Sequence, residues 1–161
     1  MPFAFKEWAV VCRALASGRQ DVILRKGGIV EDGGSFRVDH KSFYLLPTFL
    51  HQSIDCIIPK AHDLFIDIES DRPPSGSVVL THEATVIRSS RVSSLDAVLA
   101  LRDRHIWSDA VVSERFHRWK NELHVLEVSV CALPHPLTLP WSHDYEGCKS
   151  WVDIHVNSGD V

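Results

Sequence analysis

Apolar positions recur along this chain in two rhythms, one of period two and one of about 3.6. Asp21-Val22-Ile23-Leu24-Arg25 is short and β-branched, which predicts a strand that stops at Gly27-Gly28. From Ser35 to Asp39 the residues alternate, with Phe36 and Val38 on one face and Arg37 on the other. Phe43 and Leu45 continue that alternation until Pro47 breaks it. Val78 to Ile87 reads as a strand containing Glu83. Leu123 to Leu133 is apolar on both faces, as a well-buried strand is, and Pro134, Pro136 and Pro140 then impose extended backbone. A short strand within 148–156 closes the chain. The helical rhythm shows in Leu95, Val98, Leu99 and Ile106, started by Ser93 as cap with Asp96 in the first turn. It shows again from Asp109 to Trp119, where Val112, Phe116 and Trp119 share a side. Residues 6–16 fit a strand or a short helix.

Strands, then two helices, then strands indicate an α+β fold with a mostly antiparallel sheet or small barrel. Ser70-Asp71-Arg72-Pro73-Pro74-Ser75-Gly76-Ser77 is the strongest loop, and with 161 residues it reads as a surface loop at 70–77 inside a single domain spanning 1–161. Hydrophobic residues make up 45% and charged residues 24%, which excludes a wholly disordered chain. A net charge of -4 excludes a body coated in basic surface but leaves room for a local basic patch. Cys12, Cys56, Cys131 and Cys148 form no CxxC, so neither a paired-knuckle zinc site nor a dense disulfide scaffold is indicated. With no signal-peptide pattern and no bilayer-length apolar run, the expectation is a soluble cytoplasmic protein that does not engage a membrane.

Four stretches carry candidate chemistry. Gly18-Arg19-Gln20 leads through the first strand to Arg25-Lys26-Gly27-Gly28, where glycines allow close approach and guanidinium forks match phosphate; a plain hairpin turn explains it equally. Arg37, His40, Tyr44, Thr48, His51 and Gln52 lie in a segment mixing aromatic faces with groups able to bond a base or sugar. The same region holds Glu31, Asp39 and Lys41, the residue types with which a restriction-type nuclease holds Mg2+ or Mn2+ and steadies a water. The third stretch, Arg102 to Asp109 with Arg115, His117, Arg118, Trp119 and Lys120 beyond, interleaves basic residues with Trp, as a phosphate backbone or a solvated helix face would suit. In the fourth, Trp141 to Trp151, Cys148 near His143 invites a nucleophile hypothesis without the orienting acid one needs. Ten His make a metal site worth testing, but no pair has ligand spacing.

At Lys6-Glu7-Trp8-Ala9-Val10-Val11, Leu24-Arg25-Lys26-Gly27-Gly28-Ile29, Pro47-Thr48-x-x-His51-Gln52 and Gly147-Cys148-x-Ser150-Trp151 the chain resembles the domain-of-unknown-function family 1802, over nearly its full length. That resemblance brings no function. More distantly it resembles the ASCH branch of the PUA-like fold, through the Gly-Arg turn Gly18-Arg19 feeding a strand that ends in Arg25, and through His82-Glu83-Ala84-Thr85-Val86. The second resemblance implies a strongly bent sheet or small PUA-like barrel that binds RNA or modified bases. Some ASCH members hydrolyse acylated cytidine with a Lys and a Thr just after the Gly-Arg turn; Gln20 and Val22 stand here instead, which argues against that activity.

The leading expectation is a non-catalytic module for RNA, DNA or a nucleotide, with no cofactor. Arg19, Arg25, Lys26 and Arg37 would hold phosphate, while His40, Tyr44, Thr48, His51 and Gln52 would read a base or sugar. Arg25, His40 and His51 should then converge. The alternatives are a metal-dependent phosphodiester hydrolase using Glu31, Asp39 and Lys41, and a protein-interaction module using the Trp-rich C-terminal segment.

Overall fold

The computed structural model describes residues 2–26, 41–147 and 149–155. Strand β1 (Phe3–Trp8) runs straight into helix α1 (Ala9–Ala16), so the stretch that fitted either element contains both in succession. α1 is apolar around nearly its whole circumference and is buried accordingly, with Arg13 reaching outward. It stops where Gly18 takes a φ of 79° and the Arg19 and Gln20 amides return to the Ala14 carbonyl, a left-handed C-terminal cap that a glycine adopts without strain. Then come β2 (Val22–Arg25), β3 (Ser42–Thr48), three 3-10 turns between Ile54 and Asp71, β4 (Ser77–Val92), α2 (Leu95–Leu99), α3 (Asp109–His117), β5 (Leu123–Pro140) and β6 (Trp151–Asp153).

The six strands form one mixed sheet in the order β2-β5-β4-β3-β1-β6, not closed into a barrel. β1 and β3 pair in parallel, Ala4 opposite Tyr44 through Trp8 opposite Thr48; the other pairs are antiparallel. β2 and β5 are neighbours in the sheet, Val22 opposite Glu127 and Arg25 opposite His124. Strands from before and after Pro73-Pro74 interleave, so the sheet does not divide there. Alternation serves both faces. Phe5, Phe43 and Leu45 join the larger core under the helices, while Ala4 and Leu46 join a smaller one with Tyr145, Val152 and Ile154. In β4 an irregularity between Leu80 and His82 shifts the phase, so Val78 and Leu80 pack in the smaller core but Ala84 and Val86 in the larger.

Two helix expectations need correction. The cap of α2 is Ser94, whose Oγ accepts from the Ala97 amide, and the helix ends at Leu99, short of the stripe drawn to Ile106. α3 ends at His117, and Trp119 lies beyond it, 86% exposed with a φ of 59°, rather than beside Val112 and Phe116. The reason is Lys26: its Nζ donates to the carbonyls of Phe116 (2.8 Å) and Glu122 (2.9 Å) and also to that of Lys120, so the chain must turn away after α3. A cation there also suits the negative end of the helix. No helix among the described residues is long and apolar enough to cross a membrane.

Candidate functional site: a cationic cleft at the strand ends

A cleft of about 940 Å³ opens where β1, β2 and β3 end. Such a volume lies at the upper end of small-ligand pockets, roughly 300–1,000 Å³. Its floor is Glu7, Arg25 and Arg115; Trp8, Phe49 and Trp141 supply aromatic walls. Each strand delivers its last residues here because the parallel β1–β3 pair points both carboxyl ends the same way, with Glu7 opposite Pro47 and Trp8 opposite Thr48. Among the described residues the lining holds five cations, Lys6, Arg25, Arg72, Arg115 and Lys149, against the carboxylates Glu7, Asp71 and Glu146. That leaves +2 in a chain whose net charge is -4.

The floor is layered. Trp107 is fully buried and tilts against Trp8 at a centroid distance of 5.0 Å. The Arg115 guanidinium lies over the Trp107 ring at 4.0 Å, within the reach of a cation–π contact. Among the described residues nothing hydrogen-bonds or ion-pairs with it. Burial pulls the Arg115 pKa down, Glu7 opposes that, and the like charge of Arg25 adds to it, so the three groups share one field. Arg25 sits over the Phe5 ring at 4.5 Å and donates through Nη2 to the Lys6 carbonyl (3.0 Å) and, at 3.4 Å, to Glu7 Oε2; its buried Nε has no partner among the described residues. Glu7 is 6% exposed and its Oε1 accepts from the Trp8 amide at 2.8 Å. At the rim the Arg72 guanidinium covers the Phe49 ring at 4.8 Å, and Lys6 Nζ donates to the Gly147 carbonyl at 2.7 Å.

Of the residues expected to bind, the structure brings Arg25, Thr48 and His51 to this cleft. Arg37 and His40, like Glu31 and Asp39, lie outside the described residues, as do the glycines at 27, 28, 33 and 34 and Cys148. Arg19 is turned elsewhere, paired with Asp63 at 2.8 Å and bonded to the Lys60 carbonyl. Lys26 is committed to the end of α3. Gln52 caps α1 instead, its Oε1 accepting from the Val10 amide at 2.9 Å. Tyr44 is half-buried against the smaller core. Gln20, just after the Gly18-Arg19 turn, is buried; it donates to the Val22 carbonyl and accepts from the Ile106 amide. Lys41 is exposed, and no group of three or more His, Cys, Asp or Glu able to hold a metal occurs among the described residues.

Sequence reasoning missed Glu7 and Trp8 as site residues, and it noticed Phe49 and Trp141 only within longer candidate stretches. It noticed Arg115 only within a basic stretch that the fold splits. Arg102 pairs with Asp109, Arg104 with Asp21 and Glu127, and Arg118 with Glu114, all at the surface, leaving Arg115 to face inward.

The fold is similar to that of ASCH domain structures. The chain is similar to ASCH from Zymomonas mobilis, with a TM-score of 0.53 and 10% identity over 99% of this chain and 90% of that one. Two mutant proteins of the same Zymomonas mobilis ASCH match alike, one at TM-score 0.53 with 10% identity over 96% of this chain and 88% of that one. The other gives 0.52 and 11%, covering 96% and 90%. At these identities the likeness concerns the fold. The chain belongs to the family described as a domain of unknown function, DUF1802, which matches residues 4–160. No curated protein matches it.

Proposed function

We propose that this protein is a nucleic-acid or nucleotide-binding module and that the cationic cleft is its binding site. The observation that carries the reading is Arg115, a half-buried guanidinium stacked on Trp107, facing the cleft, with no anionic partner among the described residues. An unpaired buried charge is costly, and an anionic ligand relieves that cost. Arg25 offers a second fork beside it, while Trp8, Phe49 and Trp141 offer faces on which bases stack. The resemblance to ASCH and PUA-like domains puts RNA first. The free thiols of Cys12, Cys56 and Cys131 accord with a cytoplasmic setting. Binding on this reading needs no divalent metal, so chelation leaves it unchanged.

Anisotropy of a labelled single-stranded oligonucleotide across a salt series tests this. Affinity should fall with salt, and Arg115→Ala should weaken binding and flatten the log–log slope by about 0.7, the share of one phosphate contact on a single strand. Arg118→Ala, at the surface pair with Glu114, should leave both unchanged. Equal effects of the two substitutions would refute the cleft. Magnesium- or manganese-dependent cleavage of the oligonucleotide would replace binding by hydrolysis. No binding at all would leave protein interaction through the Trp141 segment.

A further inference from the structure

The floor of the cleft has a definite charge. Among the described residues two guanidiniums, Arg25 and Arg115, face a single carboxylate, Glu7, which is itself 6% exposed and bonded to Arg25 at 3.4 Å. The side chain of Arg25 is 23% exposed, so solvent screens this group weakly. One positive charge is therefore left uncompensated at the floor, and one guanidinium, that of Arg115, is without a partner among the described residues. The donor set still open on the floor, the Arg115 fork, suits an oxyanion.

Resting on the nucleic-acid reading, we propose that the cleft floor is a seat for a singly charged phosphodiester, the internal linkage of a strand, and that Glu7 sets this preference against a doubly charged terminal phosphate. A diester carries one negative charge and brings the floor to neutrality. A phosphomonoester carries about -1.5 to -2 at pH 7 and would leave surplus negative charge beside the Glu7 carboxylate, in a place where unpaired charge is costly. Lys6 keeps its charge but holds it at the rim, where its Nζ bonds the Gly147 carbonyl, and not at the floor. Two aromatic planes behind the cations, Phe5 under Arg25 and Trp107 under Arg115, fix both guanidiniums in place, so the selectivity does not depend on mobile side chains. The structure thereby assigns Glu7 as a specificity-determining residue that need not touch the phosphate.

The test compares adenosine 5′-monophosphate with its methyl ester, which differ in charge but share base and sugar. Binding is followed at pH 8 and constant ionic strength by intrinsic tryptophan fluorescence and, independently, by calorimetry. The wild-type protein should prefer the methyl ester by roughly tenfold, the effect of one poorly screened like charge. Lowering the pH through about 6, where the monoester takes up its second proton, should erase the difference. Glu7→Gln keeps an oxygen for the Trp8 amide and raises the floor charge by one, so it should reverse the preference. Arg115→Gln should weaken both ligands. Tighter binding of the monoester by the wild-type protein would overturn the proposal, and so would an unchanged order in folded Glu7→Gln. If Glu7→Gln does not fold, the wild-type order and its pH dependence decide. An oligonucleotide that binds while neither adenosine ester does would refute the diester seat and leave the binding reading standing. Absence of binding by all three would refute both.

Discussion

Arg13 and Arg115 are both helical arginines that reach away from the same core, yet their surroundings are opposite. Arg13, on α1, donates to the carbonyls of Leu64 (2.9 Å), Ile66 (2.6 Å) and Asp67 (3.1 Å) and grips both oxygens of Asp71 at 2.6 and 3.1 Å. Every part of its fork is used, the hydrogen bond to Asp71 raises its pKa, and the result is a strap that binds the 3-10 segment ending at Asp71 to the helix. Arg115, on α3, has a ring beneath it and no anion or carbonyl on it among the described residues, and burial lowers its pKa. A saturated arginine holds structure together; an unsaturated one beside a cleft is held ready by structure. The difference lies in what each faces, since composition and position within a helix are alike.

The largest expected effect comes from a third kind of buried cation site, one kept neutral. His105 is 2% exposed, its Nδ1 accepts from the Trp107 amide at 3.1 Å, and burial lowers its pKa to about 4. Because the folded value lies below the unfolded value of about 6.5, the unfolded chain takes up the proton first. Stability should be level above pH 6.5, fall as the pH drops from 6.5 towards 4, and level again below, for a total on the order of 3 kcal/mol at about 1.36 kcal/mol per unit. Urea denaturation at a series of pH values measures this. His105→Gln keeps an acceptor for the amide without titrating there, and should flatten that limb; an unaltered limb would show that His105 is not its source.

Next is Arg13→Met, which should destabilise by about 1–2 kcal/mol, since bonds to three carbonyls and a two-pronged pair with Asp71, all exposed or partly so, are lost together. Thermal or urea unfolding reads it directly. A loss below about 0.5 kcal/mol, the level of an ordinary surface pair, would remove the contrast with Arg115. The smallest effect is the sharpest one. Arg115→Met should change stability by less than about 1 kcal/mol in either direction, because it exchanges an unpaired charge for an apolar side chain on the same tryptophan. A large loss would mean that Arg115 has a structural partner and is not waiting for a ligand.

Much of the sheet was legible in the sequence because alternation is local. β2, β4 and β5 announce themselves through β-branched or alternating residues, and the proline-rich tail of β5 extends its strand to Pro140. The site was legible only in part. Arg25, Thr48 and His51 were found because they lie next to strand-ending signals. Gln52 was read as a ligand-facing amide, but an amide that caps a backbone group looks the same in sequence; the Val10 amide bonded to Gln52 is 42 positions away. Arg115 lay among Arg102, Arg104 and Arg118, and only the packing of α3 decides that it alone of these stacks on Trp107. One signal was available: Arg115 adjoins the Val112–Phe116 stripe, so its stem had to lie at the edge of the buried face.

The central claim is that the unsaturated arginines of the cleft, and not the saturated ones elsewhere, receive the ligand. Guanidinium Nε–H resonances in proton–nitrogen spectra report each arginine separately. On titration with a short single-stranded RNA, the account predicts that the Arg115 and Arg25 resonances shift together and saturate at one affinity, while those of Arg13, Arg19 and Arg118 stay in place. Shifts at the surface arginines with Arg115 and Arg25 unmoved would contradict it.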